Sequence, residues 1–203
     1  MIEHHPIAPS RREPVTFKRD ERSSIALWSG VVIAVWCGCV DEDGLLAVWQ
    51  ACQASASQAG VSQGTHRMQL MNLFVSGTRT LGTEEQKNQL LKVINPRSDF
   101  RVVQEANIFE SSEAVPNCVS RSTPILGSNV DCSRWFEDVE YAAEWLQNQL
   151  RRYNAVTSGE QTIATTRNTT VDYSTDDLLD VLSEIRGETT SIRLRLPALG
   201  LNA

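Results

Sequence analysis

The feature that most constrains this chain is a junction, VVIAVWCGCVDEDG at residues 31–44, where an apolar run meets a cluster of acids. The run from Val31 to Cys37 is rich in β-branched side chains and reads as a strand. Directly after it, Leu45, Val48, Trp49, Cys52 and Ala56 recur at helical spacing; Asp41 or Asp43 can cap the start and Gly60 can close the end. A strand feeding at once into an amphipathic helix requires a sheet for that helix to lie on, so the chain is committed to α/β layering.

The neighbouring pattern extends this frame. Ser29-Gly30 marks a tight turn joining the Val31 run to SIALW before it, which makes a hairpin. HRMQLMNLFVSG, from His66, is apolar on both alternations around Leu70, Met71 and Leu73, as expected of a central strand covered on both faces. Thr83 to Gln86 form a capping box for a helix running to Ile94 and stopped by Pro96. FRVVQEANIFE, from Phe100, is a further strand, followed by a short helical piece from Pro116 toward Leu126. Val130 to Phe136 is the last strand. The helix after it carries Val139, Ala142, Ala143, Leu146 and Leu150 on one stripe, with acids at its start and Arg151 and Arg152 at its end, matching the helix dipole. The order is β-β-α-β-α-β-α-β-α, one α/β domain over residues 23–154.

Both ends read as extensions. Residues 1–22 mix His, Pro and alternating charge without an apolar period, and are expected to form a mobile arm. Residues 155–173 are rich in Thr, Ser and Asn and read as a linker, so that 155–203 is a linker, an amphipathic helix and a tail. In that helix Ser174 is the cap, Leu178, Leu179, Leu182 and Ile185 form the stripe, and Gly187 is the stop. The stripe must be buried on its own domain, on a second copy in a homodimer, or in a partner's groove. The final SIRLRLPALGLNA alternates like an edge strand up to Pro197, or is a tail.

Charge and cysteine usage exclude several classes. With 19 basic against 25 acidic residues the net charge is −6, so no broad positive field is available for nucleic acid. No run approaches the roughly 20 apolar residues of a membrane span, and the start lacks an uninterrupted apolar leader, so a cytoplasmic location is expected. Five cysteines, at 37, 39, 52, 118 and 132, are an odd set for a disulfide framework.

Cys37 and Cys39 raise the question of thiol chemistry. A redox pair of the CxxC kind has two intervening residues, which lets the first thiol sit at a helix N-terminus where its pKa falls; here only Gly38 intervenes. A structural zinc site takes four ligands, and neither a second cysteine pair nor a histidine pair lies nearby, so no metal is expected. The sequence also lacks Gly-x-Ser-x-Gly, Gly-x-Gly-x-x-Gly and Walker motifs, and no cofactor is expected. The five tryptophans fall inside predicted elements. Trp145 lies slightly off the Val139–Leu150 stripe and is a candidate anchor for a partner.

The strand-Gly-x-x-Asp opening at Gly38-Cys39-Val40-Asp41, together with WFEDVEYAAEWLQNQL at 135–150, resembles the STAS-type domain, the fold of bacterial anti-sigma-factor antagonists and of STAS-like bacterial proteins. The resemblance covers roughly residues 25–152. It implies a mostly parallel sheet of four or five strands with helices packed on it, and a non-catalytic signalling role exercised by binding another protein. The family's phosphorylated Asp-Ser-Ser/Thr-Gly motif is replaced here by VSGTRTLGTEEQ. What stands at the matching junction is a hydroxyl-rich loop, Ser76, Thr78, Thr80 and Thr83, beside Arg79, where a phosphate would meet a helix N-terminus. The expected function is thus a regulatory protein-interaction module. The alternatives are a small-molecule or lipid-binding module in the same fold, and a thiol oxidoreductase using Cys37 and Cys39.

Overall fold

Two short connections determine how the sheet begins. Strand β2 (Ser23–Trp28) and strand β3 (Val31–Trp36) pair antiparallel in full register, Trp28 opposite Val31 and Ser23 opposite Trp36. The two residues between them, Ser29 and Gly30, have φ of 49° and 82°. Positive φ at both positions gives the twist that matches right-handed strands, and a glycine adopts it without steric cost. The computed structural model describes residues 13–37, 39–58, 66–75, 79–80, 100–110, 130–159 and 173–198.

Upstream, β1 (Val15–Arg19) pairs antiparallel with β2, with a register shift between Thr16 and Lys18 that leaves Phe17 packed against the core. This stretch belongs to the arm in the sequence reading. It is an edge strand, which needs only one apolar face, and that face is essentially Phe17 among charged and polar neighbours. After β3 come β4 (Cys39–Val40), helix α1 (Glu42–Gln58), β5 (His66–Phe74), β6 (Arg79–Thr80), β7 (Phe100–Phe109), β8 (Ser133–Phe136), α2 (Val139–Gly159) and α3 (Thr175–Ala198).

The main sheet has six strands in the order β1-β2-β3-β5-β7-β8, and β4 pairs with β6 in a separate two-stranded ribbon. β3, β5, β7 and β8 are mutually parallel, whereas β1 and β2 run antiparallel to their neighbours. The sheet is therefore mixed and six-stranded, which corrects the expected mostly parallel sheet of four or five. The reason is loop length: hairpin connections can join only antiparallel strands, while parallel neighbours require crossovers.

Alternation along β3 splits its side chains between two cores. Val32, Ala34 and Trp36 face α1, packing with Leu45, Val48, Ala51 and Cys52. Val31, Ile33 and Val35 face the opposite layer, formed by Ala142, Ala143, Leu146 and Leu150 of α2 and Leu178, Val181, Leu182 and Ile185 of α3. Helices on both faces explain why β3 is apolar throughout, and why β5 occupies the middle of the sheet as the HRMQLMNLF pattern predicts.

The helix starts follow their caps. The Gly44 amide donates to Asp41 Oδ1 at 2.8 Å, the Tyr141 amide to Asp138 Oδ1 at 3.0 Å, and the Asp177 amide to Ser174 Oγ at 3.0 Å. The ends depart from expectation. α2 runs through Asn154 to Gly159, and α3 runs through Gly187 to Ala198, so the helix expected to stop at Gly187 continues past it. One glycine costs a helix about 1 kcal/mol, too little to end one already anchored by four buried apolar side chains. The expected edge strand or tail near Pro197 is thereby replaced by helix. The helices expected over 83–94 and 116–126 lie outside the described residues.

Candidate functional site

The face of the sheet toward α1 holds a polar row that crosses four strands. Parallel register sets Ala34, Asn72, Asn107 and Trp135 side by side, with Glu105 of β7 beside Ser133 of β8. The Trp36 indole donates to Asn72 Oδ1 at 3.2 Å. Asn72 Nδ2 donates to Glu105 Oε1 at 3.2 Å and to Asn107 Oδ1 at 2.9 Å, and Asn107 Nδ2 donates to Ser133 Oγ at 3.0 Å. Asn72, Glu105 and Asn107 are fully buried. Interior amides and carboxyls are tolerated when bonded to one another, and such a row fixes strand register because a slip by one residue would break every link.

Beside this row stands an aromatic wall built from the C-terminal ends of the parallel strands. Trp36, Phe74 and Phe109 end β3, β5 and β7 in register. Phe109 stacks on Trp135 at 4.8 Å between centroids and on Phe74 at 5.0 Å, and Phe74 in turn lies 6.5 Å from Trp36. Gly44 sits against this wall: a Cβ there would come within 2.5 Å of the Trp36 ring. Close approach of α1 to the sheet thus depends on a glycine at that position.

Two of the thiols, those of Cys37 and Cys52, are buried in the packed layers. Cys37 is 2% exposed, lies in the core beneath α2 and α3, and its amide donates to the Arg22 carbonyl at 2.7 Å. Cys52 is fully buried in α1; burial first, and the charge of Glu105 second, push its thiol well above the ordinary range, so it stays protonated. Cys39 begins β4 and pairs through its backbone with Arg79, and Cys132 is exposed. Among the described residues no group of three or more His, Cys, Asp or Glu side chains is placed to hold a metal ion.

At the start of α1, Lys18 Nζ lies 3.2 Å from both Asp41 Oδ1 and Asp20 Oδ2, and Arg22 lies 3.7 Å from Asp41 Oδ2. Burial raises the Asp20 carboxyl, but amide hydrogen bonds from Ser23 and Arg22 and the ammonium of Lys18 outweigh it and hold the group below its ordinary value. This cluster ties β1 to the cap of α1.

On the opposite face, the stripe of α3 meets its own sheet. Leu178, Leu182 and Ile185 are buried, and Leu179 packs partly buried against the same core. These four are covered by the chain itself, so the candidate docking stripe is not a free face. The anchor is one that the sequence reading missed. Tyr173 packs on Trp28 at 5.7 Å and donates its hydroxyl to Gln69 Oε1 at 2.8 Å. Gln69 Nε2 donates to the Leu146 carbonyl at 2.7 Å, and Gln147 Nε2 to the Tyr173 carbonyl at 2.7 Å. Sheet, α2 and α3 are bolted together by these bonds, and Arg186 of α3 pairs with Glu110 after β7.

Of the candidate switch loop, Ser76, Thr78 and Thr83 lie outside the described residues. Arg79 and Thr80 form β6, held by its backbone against Cys39 and Val40 just ahead of α1. Trp145 is half-buried. Its ring lies 5.5 Å from that of Phe136, which also has the Arg134 guanidinium 5.3 Å from its centroid. One turn before Trp145, Tyr141 is 69% exposed. Together they make a surface aromatic patch where β8 meets α2.

The signal for the buried row was available in principle, since Asn72, Glu105 and Asn107 interrupt apolar strand runs in one phase. Among the described residues no helix is long and apolar enough to cross a membrane. A scan against protein-family models matches none, and a search of curated proteins finds no match.

Proposed function

We propose that this chain is a non-catalytic regulatory module of bacterial signalling, cytoplasmic and acting by binding another protein, in the manner of the STAS-type domains that its Gly38–Asp41 and Trp135–Leu150 segments resemble. The observation that carries the reading is the patch at the β8–α2 corner: Tyr141 stands in solvent beside Trp145, and Trp145 is braced by Phe136. Aromatic side chains held rigidly at a surface are the residues that most often anchor protein partners, because they bury large area at small entropic cost.

The competing readings fare less well on the same structure. The side-chain amides of Asn72 and Asn107 donate within the buried row, to Glu105 Oε1, Asn107 Oδ1 and Ser133 Oγ, which favours a role in strand register over ligand recognition. Cys37 is packed under two helices, and a dithiol centre needs its attacking sulfur at the surface.

The test replaces Tyr141 with a photo-crosslinking amino acid and exposes the protein to extract of its source cells, with the same probe at Glu42 on the α1 face as control. The expected result is a defined adduct, identified by mass spectrometry, at position 141 alone. Adducts that are absent, or identical at both positions, would refute the reading.

A further inference from the structure

We infer that the surface around Tyr141 takes a cationic segment of its partner, one in which lysines or arginines flank an apolar or aromatic side chain. This rests on the interaction-module reading and adds the chemistry of the partner. Glu140 adjoins Tyr141, while Glu137 and Glu144 stand one turn before and about one turn after it; all are exposed, and Glu140 and Glu144 bracket the exposed ring along the helix. Asp138 is engaged as the α2 cap, which leaves Glu137, Glu140 and Glu144 as the carboxylates closest to the patch.

The charge is not confined to α2. Over residues 137–159 and 174–198, which hold the two packed helices, the sequence carries nine carboxylates against five guanidiniums, a balance of −4, and among the side chains described there eight carboxylates are exposed. Arg186 is itself paired with Glu110. Among the described side chains of β8 and α2 the cations are Arg134, placed over Phe136, and Arg151, two to three turns beyond Tyr141. A helical layer with this imbalance repels acidic surfaces and speeds encounter with basic ones, while the aromatic patch supplies the short-range contact that charge alone does not. The α3 stripe of Leu178, Val181, Leu182 and Ile185 is buried against the sheet and does not compete with this patch.

The probe is a short synthetic peptide with lysines on either side of a central leucine, added to the full chain and followed by two-dimensional amide NMR at low salt. Shifts are expected to centre on residues 140–148 and to fade as salt is raised. Glu140→Gln with Glu144→Gln, and separately Tyr141→Ala, are each expected to weaken binding by about tenfold. The control pair Glu42→Gln and Asp43→Asn, on the α1 face, is expected to leave affinity unchanged, whereas replacing the peptide's lysines with glutamates is expected to abolish binding. Equal losses from the two carboxylate pairs would mean diffuse attraction to a negative protein and would overturn the inference, as would the absence of shifts at α2. A crosslinked partner that meets position 141 through a neutral or acidic segment would keep the module reading and remove this one.

Discussion

Gly44→Ala should destabilise the protein even though it places the best helix former in a helix. Alanine in place of glycine ordinarily favours a helix by up to about 1 kcal/mol, and less in a first turn. Here the added Cβ would sit 2.5 Å from Trp36 Cζ3, 3.1 Å from Cη2 and 3.0 Å from Asp41 Oδ1. None of these neighbours can yield easily. Trp36 is fully buried and tethered to Asn72 through its indole nitrogen, and Asp41 Oδ1 is the acceptor that caps α1. Reaching ordinary contact therefore means moving the start of α1 away from the sheet. Overpacking of this kind costs about 1–3 kcal/mol, so a net loss of about 1–2 kcal/mol is expected after the propensity gain, measurable by urea denaturation. For a chain of this size that lowers Tm by about 2–8 °C, measurable by calorimetry. A double-mutant cycle with Trp36→Phe isolates the cause, because phenylalanine lacks the ring atoms that clash. Gly44→Ala should cost at least about 1 kcal/mol less in that background. If it costs the same in both, or if Gly44→Ala is as stable as the parent, the close-approach account of this glycine is wrong.

Three further outcomes are expected. Tyr173→Phe keeps the ring on Trp28 but leaves Gln69 Oε1 without its hydroxyl donor, which should cost about 1–3 kcal/mol and hasten proteolytic release of α3 under native conditions. In native alkylation read by peptide mapping, Cys132 should be modified while Cys37 and Cys52 are protected until denaturant is added; prompt labelling of Cys37 would revive thiol chemistry. Asp20 has a folded-state pKa below its ordinary 3.8, so it contributes stability that is fully present above that value and is lost as pH falls through the lower folded value. Asp20→Asn should therefore flatten the acid arm of the stability profile below about pH 4 and leave its shape above that range unchanged.

Much of the architecture was legible from periodicity. The hairpin at Ser29-Gly30, the central place of β5, the stripe of α2 and the caps Asp41 and Ser174 all follow from local rules acting on neighbouring residues. β1 was not legible, because an edge strand with one inward side chain carries almost no alternation to detect. Nor was the length of α3: Gly187 and Pro197 are breakers by local rule, and whether a breaker wins depends on how firmly the preceding turns are docked.

The candidate surface divides in the same way. Trp145 was suspect from its offset on the helical wheel, whereas Tyr141 became a candidate once its exposure was known. The polar row of Asn72, Glu105, Asn107 and Ser133 joins residues far apart in the chain. Their hydrogen bonds exist only because parallel register brings β5, β7 and β8 into line.

The amino-acid order alone determined that strands alternate with helices, which ends are capped and which faces are apolar, because each of these is an interaction over a few residues. Tertiary structure decided where those faces go. The stripe of α3 could have met a partner, a second copy or its own sheet, and only the meeting of Tyr173, Gln69 and Gln147 across three elements fixes the last of these, while Tyr141 is left as the exposed aromatic side chain among the described residues.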